Sequence, residues 1–483
     1  MGSSTKRKRT YYGGVVQGNG AFAPPMWKHQ EQAVDFALER DSTLFFCGLG
    51  TGKSRCAIEV AEKRQAKKVL ILCPLSVIPA WEKQFREYAY REWEVVLLSK
   101  GAVAKKTKVT EDALRRSHQL ARPVAVVVNY ESARSAKFAA LAMKTGWDLL
   151  ICDEIHRLKS PSGQTSRWVS RLAKQIKTKL GLSGTIMPHS PMDVYGQMRT
   201  LKPTIFGWSF VRFRRRYAKM GGWGGKQIVG YQNMDELRSK MADITFQVGR
   251  EVLDLPPANH ERIYVELSKE ARRVYEDLSE NLIAHIDAGE CTASTALVAL
   301  LRLQQLTSGV ATVDGDPPQP VRIDESKRKA LVDLFDALPA DEPVVVFGRF
   351  RADMDTVHLA AQDVGRESLE LSGKRRELEA WQEGGAPILA TQIQAGGVGV
   401  DLTRAAYCVF LSTGFSLGDF LQAEARVHRP GADRPVFYFH FLAQETIDEK
   451  VFHALRARKD VVETLLRDLA SARSLEPNQN GER

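Results

Sequence analysis

The sequence predicts an α/β protein with two tandem parallel-sheet domains and a helical segment inserted between them. In the first half, continuous apolar runs such as residues 69–73 and 124–128 alternate with helical patterns, which is typical of a parallel sheet covered on both faces. The alternation resumes at residues 344–347, whereas residues 206–325 show mainly the three- and four-residue spacing of helices. A chain of 483 residues is also too long for a single core.

These patterns divide the chain into five parts. The predicted parts are a flexible basic N-terminal tail (1–25), a first sheet domain (26–205), a mostly helical inter-lobe segment (206–325), a second sheet domain (326–470) and a polar tail (471–483).

Composition restricts the class of protein. The chain is 43% hydrophobic and 26% charged, which is ordinary for a globular protein. It shows neither a secretory signal nor an apolar run long enough to span a membrane. Its six cysteines form no Cys-x-x-Cys pair, which argues against a zinc site and a disulfide framework and favours an intracellular, reducing compartment. The net charge of +11 favours a polyanionic partner.

The first motif is a glycine-rich stretch between an apolar run and a helical pattern. This context is typical of a phosphate-binding loop, in which glycines let successive backbone N–H groups face a polyphosphate. Lys53 would reach the β- and γ-phosphates, and the Ser54 hydroxyl would ligate Mg²⁺. The residues expected to bind the nucleotide here are Gly48, Leu49, Gly50, Thr51, Gly52, Lys53 and Ser54.

A second motif follows the apolar run at residues 149–152. Asp153 and Glu154 would lie at the carboxyl end of a parallel strand, beside the loop. We expect Asp153 to hold Mg²⁺ and Glu154 to deprotonate the water that attacks the γ-phosphate. Gln30 precedes the loop by one helix, and its amide offers the donor and acceptor needed to read adenine, although alone this is weak evidence.

The second half contains Arg426 and Arg429, which are three residues apart and would share one face of a helix. Two arginines directed at a γ-phosphate from another domain would suit an arginine-finger mechanism. An exposed basic helix is the simpler interpretation of these two residues alone. The small-residue turn formed by Ser183, Gly184 and Thr185 could relay nucleotide state, or be an ordinary loop.

Taken in order, these motifs resemble those of superfamily 2 helicases, and most closely the Swi/Snf-type double-stranded DNA translocases. The resemblance extends from about Met26 to Leu465 and implies two RecA-like domains, with ATP and Mg²⁺ acting in the cleft between two lobes. The residues Arg157 to Ser160, shortly after Glu154, and the Gln-Ala-x-x-Arg-x-His-Arg stretch at residues 422–429 favour this branch. Two departures are Cys47 and Ile155, where the family usually has alanine.

The resemblance also assigns further roles. Gln30 matches the adenine-reading glutamine, and Gly399 and Asp401 belong to a motif expected to bind the nucleotide. Gln422 joins Arg426 and Arg429 in a catalytic motif. Ser183, Gly184 and Thr185 match the motif that couples ATP hydrolysis to movement on nucleic acid. Nucleic-acid contacts are implied for Pro74, Ser76, Asn129, Tyr130, Arg349, Phe350 and Thr391.

Two basic stretches lie outside these motifs. Residues 212–217 interleave arginines with aromatic residues, which suits nucleic acid but equally suits a solvated helix with core aromatics. The lysines between 100 and 108 are expected in an exposed loop; they are Lys100, Lys105, Lys106 and Lys108.

The leading hypothesis is a monomeric, DNA-stimulated ATP hydrolase that translocates along duplex DNA. The short inter-lobe segment indicates a minimal bacterial or phage-like version, in a prokaryotic or phage-infected cytoplasm rather than a nucleus. A strand-separating DNA or RNA helicase is one alternative, because the same motor performs both tasks. A nucleotide-dependent scaffold on DNA with little motor activity is another, although the complete motif set argues against it.

Overall fold

The computed structural model describes residues 13–16, 23–187, 190–222, 225, 227–287, 293–313, 319–394 and 400–457. These residues form two compact units that divide between Leu253 and Asp254. We call them unit 1 and unit 2.

Unit 1 is built on an eight-stranded sheet with the order β1-β4-β5-β3-β6-β7-β2-β10. Every neighbouring pair is parallel except β1 with β4. The strands are β1 (Gly13–Val16), β2 (Ser42–Cys47), β3 (Lys68–Cys73), β4 (Trp93–Leu97), β5 (Val124–Asn129), β6 (Leu149–Asp153), β7 (Thr178–Ser183) and β10 (Thr245–Val248). A separate hairpin pairs β8 (Ala218–Gly221) with β9 (Gln227–Tyr231).

Helices connect these strands. They are α1 (Lys28–Leu38), α2 (Lys53–Lys63), α3 (Ile78–Tyr88), α4 (Val103–Leu120), α5 (Tyr130–Ala133), α6 (Ala136–Lys144), α7 (Gln164–Ala173), α8 (Val194–Leu201), α9 (Phe210–Tyr217) and α10 (Met234–Ala242).

Unit 2 contains a six-stranded, fully parallel sheet with the order β11-β18-β17-β14-β16-β15. Its strands are β11 (Ala258–Val265), β14 (Val344–Gly348), β15 (Ser368–Leu371), β16 (Ile388–Gln392), β17 (Tyr407–Phe410) and β18 (Val436–Ala443), with a small hairpin of β12 (Val310–Val313) and β13 (Gln319–Arg322). Its helices include α11 (Lys269–Asp287), α12 (Ala293–Thr307), α13 (Ser326–Ala337), α14 (Arg351–Asp363), α15 (Leu378–Gln382) and α16 (Leu417–Val427).

The predicted α/β class with two tandem parallel sheets is confirmed. Strands β2, β5 and β6 are buried along their whole length, which is why their sequences are continuous apolar runs. Residues 206–325 fall partly in unit 1 and partly in unit 2, and they contain strands β8 to β13 beside helices α9 to α12. No helix within the described ranges is long and apolar enough to cross a membrane.

A buried carboxylate holds α2 to the start of β4 and to the residues just before it. Glu62 is fully buried and accepts hydrogen bonds from the indole Nε1 of Trp93 (2.9 Å) and the backbone N–H groups of Tyr90 (3.0 Å) and Arg91 (3.1 Å). The Arg91 guanidinium also pairs with it. The charge is therefore buried with several donors, and removing it would leave those donors unsatisfied.

We predict that Glu62→Ala lowers the free energy of unfolding of unit 1 by about 3–5 kcal/mol, because Trp93 and two backbone N–H groups lose their acceptor. Urea unfolding followed by tryptophan fluorescence measures this. The control Glu39→Ala removes an exposed carboxylate paired with Arg40 and should cost less than about 1 kcal/mol. Equal losses in the two variants would contradict the role assigned to Glu62.

Candidate active site

The sheet of unit 1 brings the predicted motifs together at one edge. Because β6, β7, β2 and β10 are neighbouring parallel strands, their carboxyl ends lie side by side. Asp153 is the last residue of β6, and Glu154 follows it. Ser183 ends β7, and the phosphate-binding loop (residues 48–52) follows β2.

The phosphate-binding loop has the backbone that its glycines predict. Gly50 and Gly52 have φ angles of 89° and 86°, in the left-handed region. Gly52 is the N-cap of α2, and no side chain caps that helix. The first N–H groups of α2 thus face the loop without a side-chain acceptor, as an anion site requires.

Lys53 and Ser54 begin the helix. The Lys53 ammonium donates to the carbonyl oxygens of Cys47 (2.9 Å) and Gly48 (3.1 Å), so its charge lies within the loop. Ser54 is half-buried, and its hydroxyl makes no hydrogen bond to another residue in the described part of the chain. Both groups suit a phosphate and its Mg²⁺ ion.

Gln30 ties the start of α1 to the loop. Its Nε2 donates to the Thr51 carbonyl (3.1 Å), and its Oε1 accepts from the Trp27 backbone N–H (3.1 Å). A Cβ atom on Gly52 would lie 2.2 Å from this Nε2. The positive φ of Gly52 and this contact both disfavour a larger residue at position 52, while adenine recognition by Gln30 remains a prediction.

Asp153 is buried at the end of β6 and held by two aromatic side chains. The Trp81 indole donates to its Oδ2 (3.2 Å), and the Tyr130 hydroxyl donates to its backbone carbonyl (2.8 Å). Burial, together with the neighbouring Glu154 carboxylate, raises the pKa of Asp153 to about 7. A cation at this carboxylate would stabilise its ionised form.

Glu154 has a left-handed backbone, with φ 50°, and a buried side chain. Burial by itself raises the pKa of Glu154, but the hydrogen bond from His156 and the nearby positive charges lower it below its ordinary value. The carboxylate is therefore ionised at neutral pH and able to accept a proton.

His156 joins Glu154 to the turn at the end of β7. Its Nδ1 lies 3.2 Å from Glu154 Oε2 and 3.1 Å from Ser183 Oγ. Because the Ser183 hydroxyl donates to the Thr185 carbonyl (3.0 Å), it accepts from His156, and the imidazole N–H is shared between both oxygens. A Cβ atom on Gly184 would lie 3.2 Å from Leu49 Cγ, so this turn also contacts the phosphate-binding loop.

The two departures from the family pattern lie in apolar surroundings. Burial raises the pKa of the Cys47 thiol to about 12, so Cys47 behaves as a small apolar residue. Ile155 is fully buried, and its Cδ1 lies 2.7 Å from where a Cβ on Gly181 would be. The larger residue at position 155 is therefore matched by a glycine on β7.

In unit 2, Arg426 and Arg429 do not share a helix. Helix α16 ends at Val427, so the expectation of a common helical face is wrong for Arg429. The two guanidinium groups instead contact carbonyls on both sides of residues 395–399, namely Ile393 (3.4 Å) and Val400 (3.5 Å). Burial lowers the pKa of Arg426 to about 10.

The remaining predicted nucleotide residues of unit 2 are less enclosed. Gln422 is half-buried on α16, and Asp401 is exposed, with its carboxylate accepting from the backbone and hydroxyl of Thr403 (3.0 and 2.7 Å). Gly399 lies outside the described residues.

The predicted nucleic-acid residues of unit 1 lie at the ends of β3 and β5 or directly after them. Ser76 is exposed, whereas Pro74 is buried in the turn after β3. Asn129 is buried and donates to Glu131 (2.8 Å). Tyr130 is a core residue that supports Asp153, a role that its position in the sequence does not reveal.

The corresponding residues of unit 2 follow β14 or lie in β16. The Arg349 guanidinium bonds to Gln304 and lies over the rings of Phe350 (5.3 Å) and Phe415 (5.4 Å). Thr391 is fully buried, and its hydroxyl has no hydrogen-bond partner among the residues that the structure describes.

The two basic stretches contain both buried and exposed side chains. Phe213 and Tyr217 belong to the core, while Arg212 and Arg215 are exposed on α9. The expectation of a loop is wrong for Lys105, Lys106 and Lys108, which lie in α4. Lys105 and Lys108 are exposed, as expected, whereas Lys106 is buried and donates to Ser132 (2.9 Å).

Sequence reasoning did not identify three residues at this site. Trp81 holds Asp153, His29 Nε2 lies 3.0 Å from the Thr51 carbonyl, and Arg250 packs against Gly48. None belongs to a recognisable motif, and each reaches the site through tertiary contacts between distant segments.

A model of the SNF2-related domain matches residues 29–309. The chain belongs to the SNF2-related family. It is 25% identical over 463 residues to a SWI/SNF-related matrix-associated actin-dependent regulator of chromatin subfamily A-like protein 1 homolog of Caenorhabditis elegans, covering 90% of this chain and 61% of that one. It is 24% identical over 439 residues to the DNA repair and recombination protein RDH54 of Saccharomyces cerevisiae S288c. That alignment covers 83% of this chain and 45% of the yeast protein.

A phage relative has nearly the same length. "Putative protein p41" of Acyrthosiphon pisum secondary endosymbiont phage 1 is 24% identical over 472 residues, covering 92% of this chain and 98% of that one. The chain spans less than two thirds of the C. elegans and yeast relatives. A solved structure, the Sulfolobus solfataricus SWI2/SNF2 ATPase core in complex with dsDNA, aligns over 91% of this chain and 92% of that one, with a TM-score of 0.43 and 19% identity.

Family membership confirms the Swi/Snf-type resemblance. The roles of individual residues remain predictions, and the phosphate-binding loop offers a direct test of one.

We predict that Gly52→Ala weakens ATP binding at least about tenfold, because a Cβ would strain the positive φ and collide with Gln30. Fluorescence titration with a labelled ATP measures the affinity. Gly146→Ala is the matched control: Gly146 also has a positive φ, of 64°, but a Cβ there meets nothing within 4 Å. ATP affinity should be unchanged in this control, and an equal loss in both would count against the loop assignment.

Proposed function

We propose that this chain is a nucleic-acid-stimulated ATP hydrolase that translocates along double-stranded DNA. The main support is the hydrogen-bonded path from Glu154 through His156 to Ser183, beside the phosphate-binding loop. A nucleotide loop alone would suit many functions, whereas a carboxylate held by a histidine that also contacts a neighbouring strand suits a regulated hydrolase.

The residues present fit ATP with Mg²⁺. The loop N–H groups and Lys53 would hold the phosphates, and Ser54 and Asp153 would hold the ion. Bound Mg²⁺ neutralises phosphate charge and orients the γ-phosphate for in-line attack. Because Mg²⁺ is commonly held by one or two carboxylates together with substrate phosphates, we infer that Mg²⁺ enters with the nucleotide.

Glu154 would orient the attacking water and take its proton as the water oxygen bonds to the γ-phosphorus and the bond to the β-phosphate oxygen breaks. The ionised carboxylate and the fixed His156 contact support this assignment. The contacts of Ser183, Gly184 and Thr185 with both motifs support a coupling role for that turn.

For unit 2, we propose that Arg426 and Arg429 stabilise the γ-phosphate charge during hydrolysis, with Gln422 positioning the water. Their contacts with carbonyls on either side of residues 395–399 support a common role with that motif, which includes Gly399 and Asp401. Adenine recognition is assigned to Gln30.

DNA is the proposed partner because of the net charge of +11 and because a relative is named a DNA repair and recombination protein. Backbone contacts would come from the ends of β3, β5, β14 and β16, independently of base sequence. The phage relative of similar length favours a prokaryotic or phage setting for a monomeric motor.

We predict that Glu154→Gln lowers the maximal ATP turnover rate at least about 100-fold while ATP affinity and DNA binding are retained, because the general base is lost but not the binding groups. Lys53→Ala should instead lose ATP affinity together with turnover. A phosphate-release assay, labelled ATP and labelled duplex DNA give the three readouts. Glu111→Gln, at an exposed carboxylate on α4, is the control and should behave as wild type. Normal turnover in Glu154→Gln would overturn its assignment as the base.

We predict that duplex DNA stimulates ATP turnover more strongly than single-stranded DNA or RNA, and that the protein displaces a triplex-forming strand without separating a duplex. Side-by-side ATPase and displacement assays test this. Stimulation by RNA only, or strand separation, would favour the helicase alternative, and no stimulation by any nucleic acid would favour the scaffold.

A further inference from the structure

The segment of residues 248–256, which we call the strap, connects the last sheet strand of unit 1 to unit 2. Its first residue ends β10, where Val248 is in parallel register with Cys47 at the end of β2. The Gly48 backbone N–H donates to the Val248 carbonyl at 2.9 Å. The strap therefore starts with a main-chain hydrogen bond to the phosphate-binding loop itself.

Arg250 adds a side-chain contact at the same end. A Cβ atom on Gly48 would lie 2.6 Å from Arg250 Cγ and 3.1 Å from the Arg250 backbone nitrogen. The Leu253 N–H donates to the Arg250 carbonyl (2.9 Å), and Leu253 is almost buried. The first loop residue is thus packed against a short turn of the strap, and a shift of either one requires the other to move.

The other end of the strap is bonded in unit 2. His428, between Arg426 and Arg429, donates from Nε2 to the Pro256 carbonyl at 2.7 Å, because a carbonyl can only accept. The next carbonyl, of Pro257, accepts from Val436 at the start of β18 (2.9 Å). Two consecutive prolines also fix φ at this end, which limits the bending that could absorb a displacement.

We propose that the strap transmits the nucleotide state of the phosphate-binding loop to Arg426 and Arg429, with Arg250 and His428 as positioning residues. The proposal rests on the proposed function of the two sites. A covalent connection alone would require neither the contact of Arg250 with Gly48 nor the bond of His428 to the strap. Because both ends are anchored at predicted catalytic motifs, a longer strap should uncouple them without removing either motif.

The first experiment lengthens the strap. A variant with two glycines inserted between Asp254 and Leu255 keeps both anchors and should bind labelled ATP within about twofold of wild type, while DNA-stimulated turnover falls about tenfold. The control carries the same insertion between Gly384 and Gly385, an exposed turn of unit 2, and should match wild type. Turnover within twofold of wild type in the strap variant would overturn the proposal.

The second experiment concerns the His428 bond. His428→Leu should lower the maximal turnover rate about fivefold with an unchanged KM for ATP, because the nucleotide loop is intact. His428→Gln retains an N–H donor near the Nε2 position and should restore most of the rate. Equal loss in both variants would mean that the imidazole acts in packing only, and would contradict the positioning role.

Hydrogen exchange separates this proposal from the proposed function. Adding adenosine 5′-O-(3-thiotriphosphate) should slow exchange at residues 44–56 in wild type, the control insertion and the strap insertion. At residues 424–432 it should slow exchange in wild type and in the control insertion, but not in the strap insertion. Equal slowing there in the strap insertion, or none in wild type, would overturn the strap proposal even if ATP hydrolysis is normal. Absence of slowing at residues 44–56 in wild type would overturn the proposed function, and the strap proposal with it.

Discussion

The parallel pairing of β6, β7, β2 and β10 is the constraint on which the unit 1 site depends. Parallel strands present their carboxyl ends at one edge, so four segments distant in sequence arrive together without further adjustment. A slip of β7 by one residue would turn Ser183 away from His156 and break the path from Glu154. Strands β2 and β6 are buried along their whole length, because each packs on both faces of the sheet.

Electrostatics reinforces this arrangement. Asp153 and Glu154 are adjacent buried carboxylates, and their environments shift their pKa values in opposite directions. Burial disfavours the charge on Asp153, which makes it responsive to a cation, whereas His156 stabilises the charge on Glu154. Two neighbouring residues of similar chemistry are thereby suited to different tasks, metal binding and proton transfer.

The sequence predicted the sheet strands with long apolar runs, such as β3 and β5, and the loop, where glycine spacing and neighbouring patterns agree. It did not predict β10, because four residues of mixed polarity carry no clear period, and it grouped this strand with a helical segment. Arg429 was expected on a helix because spacing alone does not show that α16 ends at Val427. Tyr130 was expected to contact nucleic acid and Lys106 to lie in an exposed loop, since sequence does not show which polar groups find buried partners.

The hydrogen bond from Trp81 to Asp153 places a fluorescent indole directly against this carboxylate. An indole whose N–H is bonded to a carboxylate has emission that depends on the local electric field. When a divalent ion or a proton neutralises Asp153, the field at Trp81 changes while its apolar packing does not. If Asp153 holds Mg²⁺ as proposed, binding of the ion should therefore change the fluorescence of Trp81, without a dye attached near the phosphate-binding loop.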